Sequence, residues 1–314
     1  VVQRHTRFVK PLICVVGPTG VGKTAVAIEL CKRLDGEIVS ADSMQIYRGL
    51  DIATAKPSAE EQARAPHHLI DVREPDEPYS AAQWGDDARA AIASISARGK
   101  MPIVAGGTGF YLRALLQPHI LASVPPNETL RAELEAEAAI HGAQWLHEKL
   151  AAHDSAAAAR LHPNDVYRVV RALEVALSPE EGQSNSGCPP KEGRIPPEAR
   201  IFVLTMPREQ LYTRLNARID AMLQNGFWDE LRYTTRFAPD LPSMQSVGYK
   251  QMRAALDDPP RSEECIELWK RDTRRYAKRQ MTWFRHQLQA QWIDMNEFSD
   301  AHAVAEHIAN AANA

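Results

Sequence analysis

The stretch LICVVGPTGVGKTAVAIELCKRL, residues 12–34, carries three signals in a row. Leu12–Val16 is a short apolar run bounded by Gly17, the pattern of a buried strand. Gly17, Pro18, Thr19, Gly20, Val21, Gly22, Lys23 and Thr24 then match G-x-x-x-x-G-K-[ST], and Val26, Leu30 and Leu34 recur at helical spacing. Strand, glycine-rich turn and helix in that order make a P-loop. Its glycines let successive backbone N–H groups curl round phosphate oxygens at the positive end of a helix dipole. Lys23 adds a point charge, and the Thr24 hydroxyl is the expected Mg²⁺ ligand.

Working outward, 37–41, 101–105 and 200–206 are further short strand candidates, and 80–98 is Ala-rich and helical. Strands alternating with helices predict an α/β fold: a P-loop NTPase-like core with a mostly parallel sheet. Between the third and fourth strand candidates lie only helical patterns, at 127–141, 142–153 and 163–177. The expected organisation is therefore a core over 1–117, a helical insertion domain over 118–197, and the rest of the core with a helical C-terminal region over 198–314. Residues 179–197, rich in Pro, Gly, Ser and charge, read as a mobile loop. After the fourth strand the chain reads as helical to its end.

The 314 residues suffice for more than one domain, and 44% hydrophobic with 25% charged residues is a globular profile. The net charge of −3 does not announce a nucleic-acid binder, so any basic face has to be local. Cys14, Cys31, Cys188 and Cys265 form no C-x-x-C pair, which argues against zinc and a disulfide framework and for a reducing cytoplasm. No apolar run is long enough to span a membrane, and the basic residues 1–10 are followed by no cleavage-site pattern, so no signal peptide is expected.

The motif specifies phosphate rather than nucleotide. An NTPase normally adds an apolar strand ending in Asp, but 101–105 runs into Gly106-Gly107-Thr108-Gly109. The rival, His68-Leu69-Ile70-Asp71, reads equally as a strand end or turn. Asp42, in SADSMQIY at 40–47, follows the second strand and so lies on the same rim as the P-loop. It reads as a general base or as the cap of a following helix. Ser43 and Gln45 are placed to hydrogen-bond a base edge.

Taken together, GPTGVGKT at 17–24, SADSMQIY at 40–47, DIATAKP at 51–57, PHHLID at 66–71, GGTGFY at 106–111, RALE at 171–174, VGYKQ at 247–251 and TRRYAKRQMTW at 273–283 resemble the tRNA dimethylallyltransferase (tRNA isopentenyltransferase) family. The resemblance runs in order over nearly the whole chain, without the zinc-finger extension of eukaryotic relatives, and so implies the shorter bacterial form. It implies transfer of a dimethylallyl group from dimethylallyl diphosphate to N6 of the adenosine 3′ of the anticodon, position 37. Asp42 then resembles the general base, Thr19 a contact to base or donor, and Lys23, Thr24 with Mg²⁺, and Arg218 the groups that meet the diphosphate. It further implies tRNA contacts by Asp42, Ser43, Met44 and Gln45; by Thr108 and Arg131; by Tyr167, Arg168, Val169, Val170 and Arg171; by Gln245, Ser246, Val247, Gly248, Tyr249 and Lys250; and by Lys278, Arg279, Gln280, Trp283 and Arg285. The implied partner is the anticodon stem-loop, with the target base extruded from its stack. A monomer is expected.

Placed at about 100° per residue, Lys270, Arg271, Arg274, Arg275, Lys278, Arg279 and Arg285 fall within half a turn of a helix. Trp269, Tyr276 and Trp283 lie opposite, as core. The basic half reads as a solvated face or as an RNA-backbone surface. Three other readings compete: a small-molecule P-loop kinase, an adenylate isopentenyltransferase acting on free AMP, and an RNA-binding P-loop NTPase. Neither the first nor the second has a use for the basic helix.

Overall fold

A computed structural model describes residues 11–117, 127–178, 195–196 and 198–313. The basic stretch 1–10, Cys188 and most of 179–197 lie outside the described residues. The chain divides into two compact units, Val1–Leu116 with Ile195–Ala314, and Gln117–Arg194.

In the first unit β1 (Leu12–Val16) leads through the P-loop into α1 (Lys23–Leu34), then β2 (Gly36–Ala41), α2 (Ala59–Arg64), β3 (His67–His68), α3 (Ala81–Ala97), β4 (Met101–Gly106) and α4 (Gly109–Leu116). The second unit holds α5 (Glu128–His141), α6 (Ala143–His153), α7 (Ser155–Ala158) and α8 (Val166–Ala176). The first unit resumes with β5 (Ala199–Thr205), α9 (Arg208–Gln224), α10 (Phe227–Thr234), α11 (Tyr249–Met252), α12 (Ala254–Asp257), α13 (Ser262–Gln287), β6 (Gln291–Asp294) and α14 (Ala301–Asn313).

The six strands run in the order β3-β2-β4-β1-β5-β6, and every neighbouring pair is parallel. Successive side chains of a strand point to opposite faces, and both faces here are covered. Leu12, Cys14 and Val16 enter one core with Val104, Val203 and Trp84, whereas Ile13 and Val15 enter the other with Val26, Ile28, Phe202 and Ile308. This double burial is why the interior strands read as unbroken apolar runs. Because all strands point one way, the residues after β1, β2, β4 and β5 share one rim. Ligands of open α/β sheets bind at such a rim.

One strand departs from the expected plan. Residues 291–294, expected to be helical, form edge strand β6, in which only Ile293 is buried. Of the two readings at His68, strand end or turn, the first holds: His67–His68 pairs with Ile38 and Val39. The helix expected at 163–177 starts at Val166, with Asp165 as its N-cap.

The second unit packs Leu134, Leu146, Leu150, Val169 and Leu173 into a core of its own. Beside that core the buried Glu174 carboxylate accepts from the Asn127 N–H, from Arg131 at 3.0 Å and from Arg171. Two arginines and a backbone donor hold the Glu174 carboxyl below the ordinary carboxylate range, against the opposing effect of burial.

Candidate active site

Gly17, Gly20 and Gly22 all take positive φ, of 151°, 82° and 109°, so the P-loop backbone occupies conformations that side chains disfavour. The half-buried Lys23 donates from its ammonium to the Pro18 carbonyl at 2.9 Å. Burial pushes its pKa down to about 8, a shift that Asp42 resists and Arg218 reinforces. Helix α9 brings Arg218 in from the far side of the loop, where Nη2 donates to Thr19 Oγ1 at 2.8 Å and the buried Nε has no partner. Arg214, one turn earlier, lines the same cavity and pairs with no carboxylate among the described residues. Three cations therefore border a cavity of about 260 Å³, and of the two carboxylates on its wall, Asp42 and Glu61, none is bonded to them. Cations left unneutralised around a concave site are the signature of a polyanion site.

Asp42 directly follows β2 and lines that cavity. Its Oδ1 accepts the Met44 N–H at 2.9 Å, and the residues that follow form turns. No helix begins there, so the helix-cap reading fails. Oδ2 makes no hydrogen bond to the described residues. Asp42 also borders a second cavity, of about 300 Å³, whose walls mix apolar side chains such as Met44, Ile219, Met222 and Trp269 with polar ones and with Arg218 and Arg279. Thr19, Asp42, Thr54 and Arg218 line both. One carboxylate is thus shared by the phosphate cavity and by a mixed cavity beside it.

The Thr108 hydroxyl accepts the Ser43 N–H at 3.0 Å, tying the turn after β4 to the one after β2. Gln45 is turned inward: its amide donates to the Thr54 and Ala55 carbonyls and accepts from Ser40. Both of its N–H groups are thus spent inside the protein, and only its oxygen keeps spare accepting capacity at the cavity wall. Gln245, Ser246 and Val247 line the second cavity, whereas Tyr249 is buried and donates to Glu230 at 2.7 Å. Lys250 is exposed. Asp71 is ion-paired with Lys56 at 2.5 Å and is not among the residues lining the phosphate cavity, which removes the rival for a metal-steering Asp.

The basic half of α13 is less bare than its projection implies. Lys270 pairs with Asp220 at 2.7 Å, Arg274 donates to Asn216 at 2.8 Å, and Arg271 and Arg275 share Asp272. Lys278, Arg279 and Arg285 are exposed and pair with no acid among the described residues. Arg279 lies over the Tyr276 ring and lines the second cavity. Trp283 packs against Gly109, where an added Cβ would strike its ring. In the second unit Arg131 and Arg171 are engaged by Glu174, and Val169 and Val170 are buried, while Tyr167 and Arg168 are exposed.

Sequence reasoning missed Glu230 besides Arg214. Gln280, read as a tRNA contact, is buried and bonded to the P-loop. Glu230, at 8% exposure, accepts the N–H groups of Asp51, Ile52 and Ala53 at 2.7, 2.6 and 2.9 Å. It thereby shapes the loop that carries Thr54 into both cavities. Glu230→Leu leaves those donors and Tyr249 without an acceptor, and is expected to destabilise the protein by on the order of 3 kcal/mol. Urea denaturation checks this; a loss below about 1 kcal/mol would show that water replaces the carboxylate.

The Thr24 hydroxyl makes no hydrogen bond to the described residues and lines the same cavity as Asp42. Two hard oxygen donors beside a phosphate cradle fit a small hard cation that keeps several waters. No cluster of three or more His, Cys, Asp or Glu suited to a metal exists among the described residues, so these donors do not form an all-protein cage.

The chain matches the family model described as IPP transferase over residues 45–287. A tRNA dimethylallyltransferase of an Exiguobacterium species is 45% identical over 92% of this chain and 92% of its own length. That of Geobacillus kaustophilus is 43% identical over 94% and 93%. Among solved structures, the tRNA isopentenylpyrophosphate transferase of Bacillus halodurans superposes with a TM-score of 0.70 at 42% identity, covering 97% of both chains. A eukaryotic dimethylallyltransferase, solved acting on tRNA, gives a TM-score of 0.78 at 28% identity, over 96% of this chain and 78% of its own.

Proposed function

We propose, from the premise that this chain belongs to the IPP transferase family, a division of labour among its residues in prenylating tRNA. The reaction transfers the dimethylallyl group of dimethylallyl diphosphate to N6 of the adenosine 3′ of the anticodon and releases diphosphate. The observation that carries the division is the placement of Asp42 on the wall of both the P-loop cavity, with its three cations, and the mixed cavity beside it. The diphosphate occupies the P-loop side, where Lys23, Arg214 and Arg218 meet its charge. As the allylic C–O bond breaks, that charge grows on the leaving oxygens, and fixed cations stabilise it without reorganising. The adenine amine forms the new N–C bond and gives its proton to Asp42 Oδ2. Thr24 would hold Mg²⁺, which would supply further neutralisation of leaving-group charge.

Lys278, Arg279 and Arg285 hold the RNA backbone. The enzyme works in the cytoplasm with its tRNA; no described helix is long and apolar enough to cross a membrane. The test is incubation of labelled dimethylallyl diphosphate with unmodified tRNA, with AMP and ATP in parallel. Label is expected in tRNA at the adenosine 3′ of the anticodon. Efficient labelling of AMP, or RNA-stimulated hydrolysis of ATP, would overturn the reading. Changing Lys278 and Arg279 together to Ala is expected to weaken tRNA binding whatever the sequence, and to make the log–log salt slope shallower by up to about 2. An unchanged slope would mean that the face is only solvated.

A further inference from the structure

Gln280 sits one residue after Arg279 on the basic helix, yet its side chain is buried, at 7% exposure. Its Oε1 accepts the Thr19 N–H at 2.9 Å, and its Nε2 donates to the Gly107 carbonyl at 2.9 Å. The fit at Gly107 is close, and an added Cβ there would collide with the Gln280 amide. Each contact leads on to a different part of the site. Thr19, held through its backbone, receives Arg218 on its hydroxyl at 2.8 Å. Gly107 precedes Thr108, whose hydroxyl accepts the Ser43 N–H beside Asp42. Only an amide offers a donor and an acceptor at this reach; Glu at neutral pH lacks the donor and Met lacks both.

We propose that Gln280 is a positioning residue that locks the P-loop to the turn after β4, so that the leaving-group cations and the base are held in register. This rests on reading the P-loop cavity as the diphosphate site. Gln280 touches neither substrate and acts through Thr19 and Gly107. Displacements of about 1 Å at a reacting centre cost on the order of 10²-fold in rate, which sets the scale of the effect.

The test compares Gln280→Met and Gln280→Glu, which nearly preserve side-chain volume, with the wild type. Gln280→Met is expected to lower kcat by roughly 10–10²-fold, with tRNA Kd changed less than about twofold. Gln280→Glu keeps the acceptor for Thr19 and is expected to lose less. Its activity relative to wild type is expected to rise as pH falls, because the protonated carboxyl donates to Gly107 again. A packing role would make the two variants alike and that ratio flat. Weakened tRNA binding with kcat unchanged would make Gln280 an RNA contact and overturn the proposal. So would two folded variants with kcat within about threefold of wild type. The stabilisation of the enzyme by inorganic diphosphate, read as a Tm shift, separates this proposal from the functional reading, because it needs no RNA. That shift is expected to fall by about half or more in Gln280→Met; an undiminished shift overturns the proposal even if tRNA is prenylated.

Discussion

Asp42→Ala is expected to lower turnover by roughly 10²–10⁴-fold, the range for a lost general base. Diphosphate affinity is expected to stay close to wild type, because two consequences of removing the carboxylate oppose each other. A negative charge near the anion disappears, which favours binding. The same charge helps keep Lys23 protonated, and that help is lost. Asp42→Asn separates chemistry from architecture: its side-chain oxygen can still accept the Met44 N–H while it can take no proton. Single-turnover prenylation of tRNA with saturating donor measures the step. Turnover within a few-fold of wild type in the Asn variant would leave Asp42 as a turn residue and nothing more.

Lys23→Ala is expected to slow transfer by about 10²–10³-fold, comparable to loss of one preorganised donor at a developing oxyanion. It is also expected to weaken donor binding. The side chain is half-buried at the cavity wall, and its charge is already disfavoured enough to bring its pKa to about 8. Water screens such a charge poorly, so its effect on a leaving diphosphate exceeds that of a surface lysine. Lys23→Arg is expected to recover little, since a guanidinium does not fit where a compact ammonium reaches the Pro18 carbonyl. Donor binding and transfer rate, measured separately, check both parts. A variant that binds the donor normally and transfers at the wild-type rate would remove Lys23 from the leaving-group site.

How much of this was legible in the sequence depended on whether a residue's role is local. The P-loop was readable because strand, glycines and helix are contiguous, and the interior strands because burial on both faces makes them uniformly apolar. Edge strand β6 was not, since Gln291 and Trp292 are exposed and only Ile293 turns inward. The alternatives at Asp42 were separated by the backbone that follows it, which turns rather than coils. The helical projection of α13 placed its charges correctly in angle but carried no knowledge of Asp220 and Asn216 on α9. Glu230 and Arg214 carry no local signal at all, and the motif around Gln280 marked it as a tRNA contact without showing its link to the P-loop. Each acts on residues brought near it by the fold: Thr19 for Gln280, the Asp51–Ala53 backbone for Glu230, and the phosphate cavity for Arg214.

The strand order also governs how the protein emerges from the ribosome. β1 pairs on one side with β4 and on the other with β5. Once Gly106 has been made, β1 can join β4, but its second edge stays open until Ala199–Thr205 arrives. At a synthesis rate of about 5–20 residues per second, that wait is on the order of ten seconds. An apolar strand with unpaired N–H and C=O groups invites wrong partners for as long as it lasts. The segment translated during the wait contains only helices and turns among its described residues, and α5, α6 and α8 bury their apolar side chains against one another. Among those described residues, it offers the waiting edge no strand to pair with.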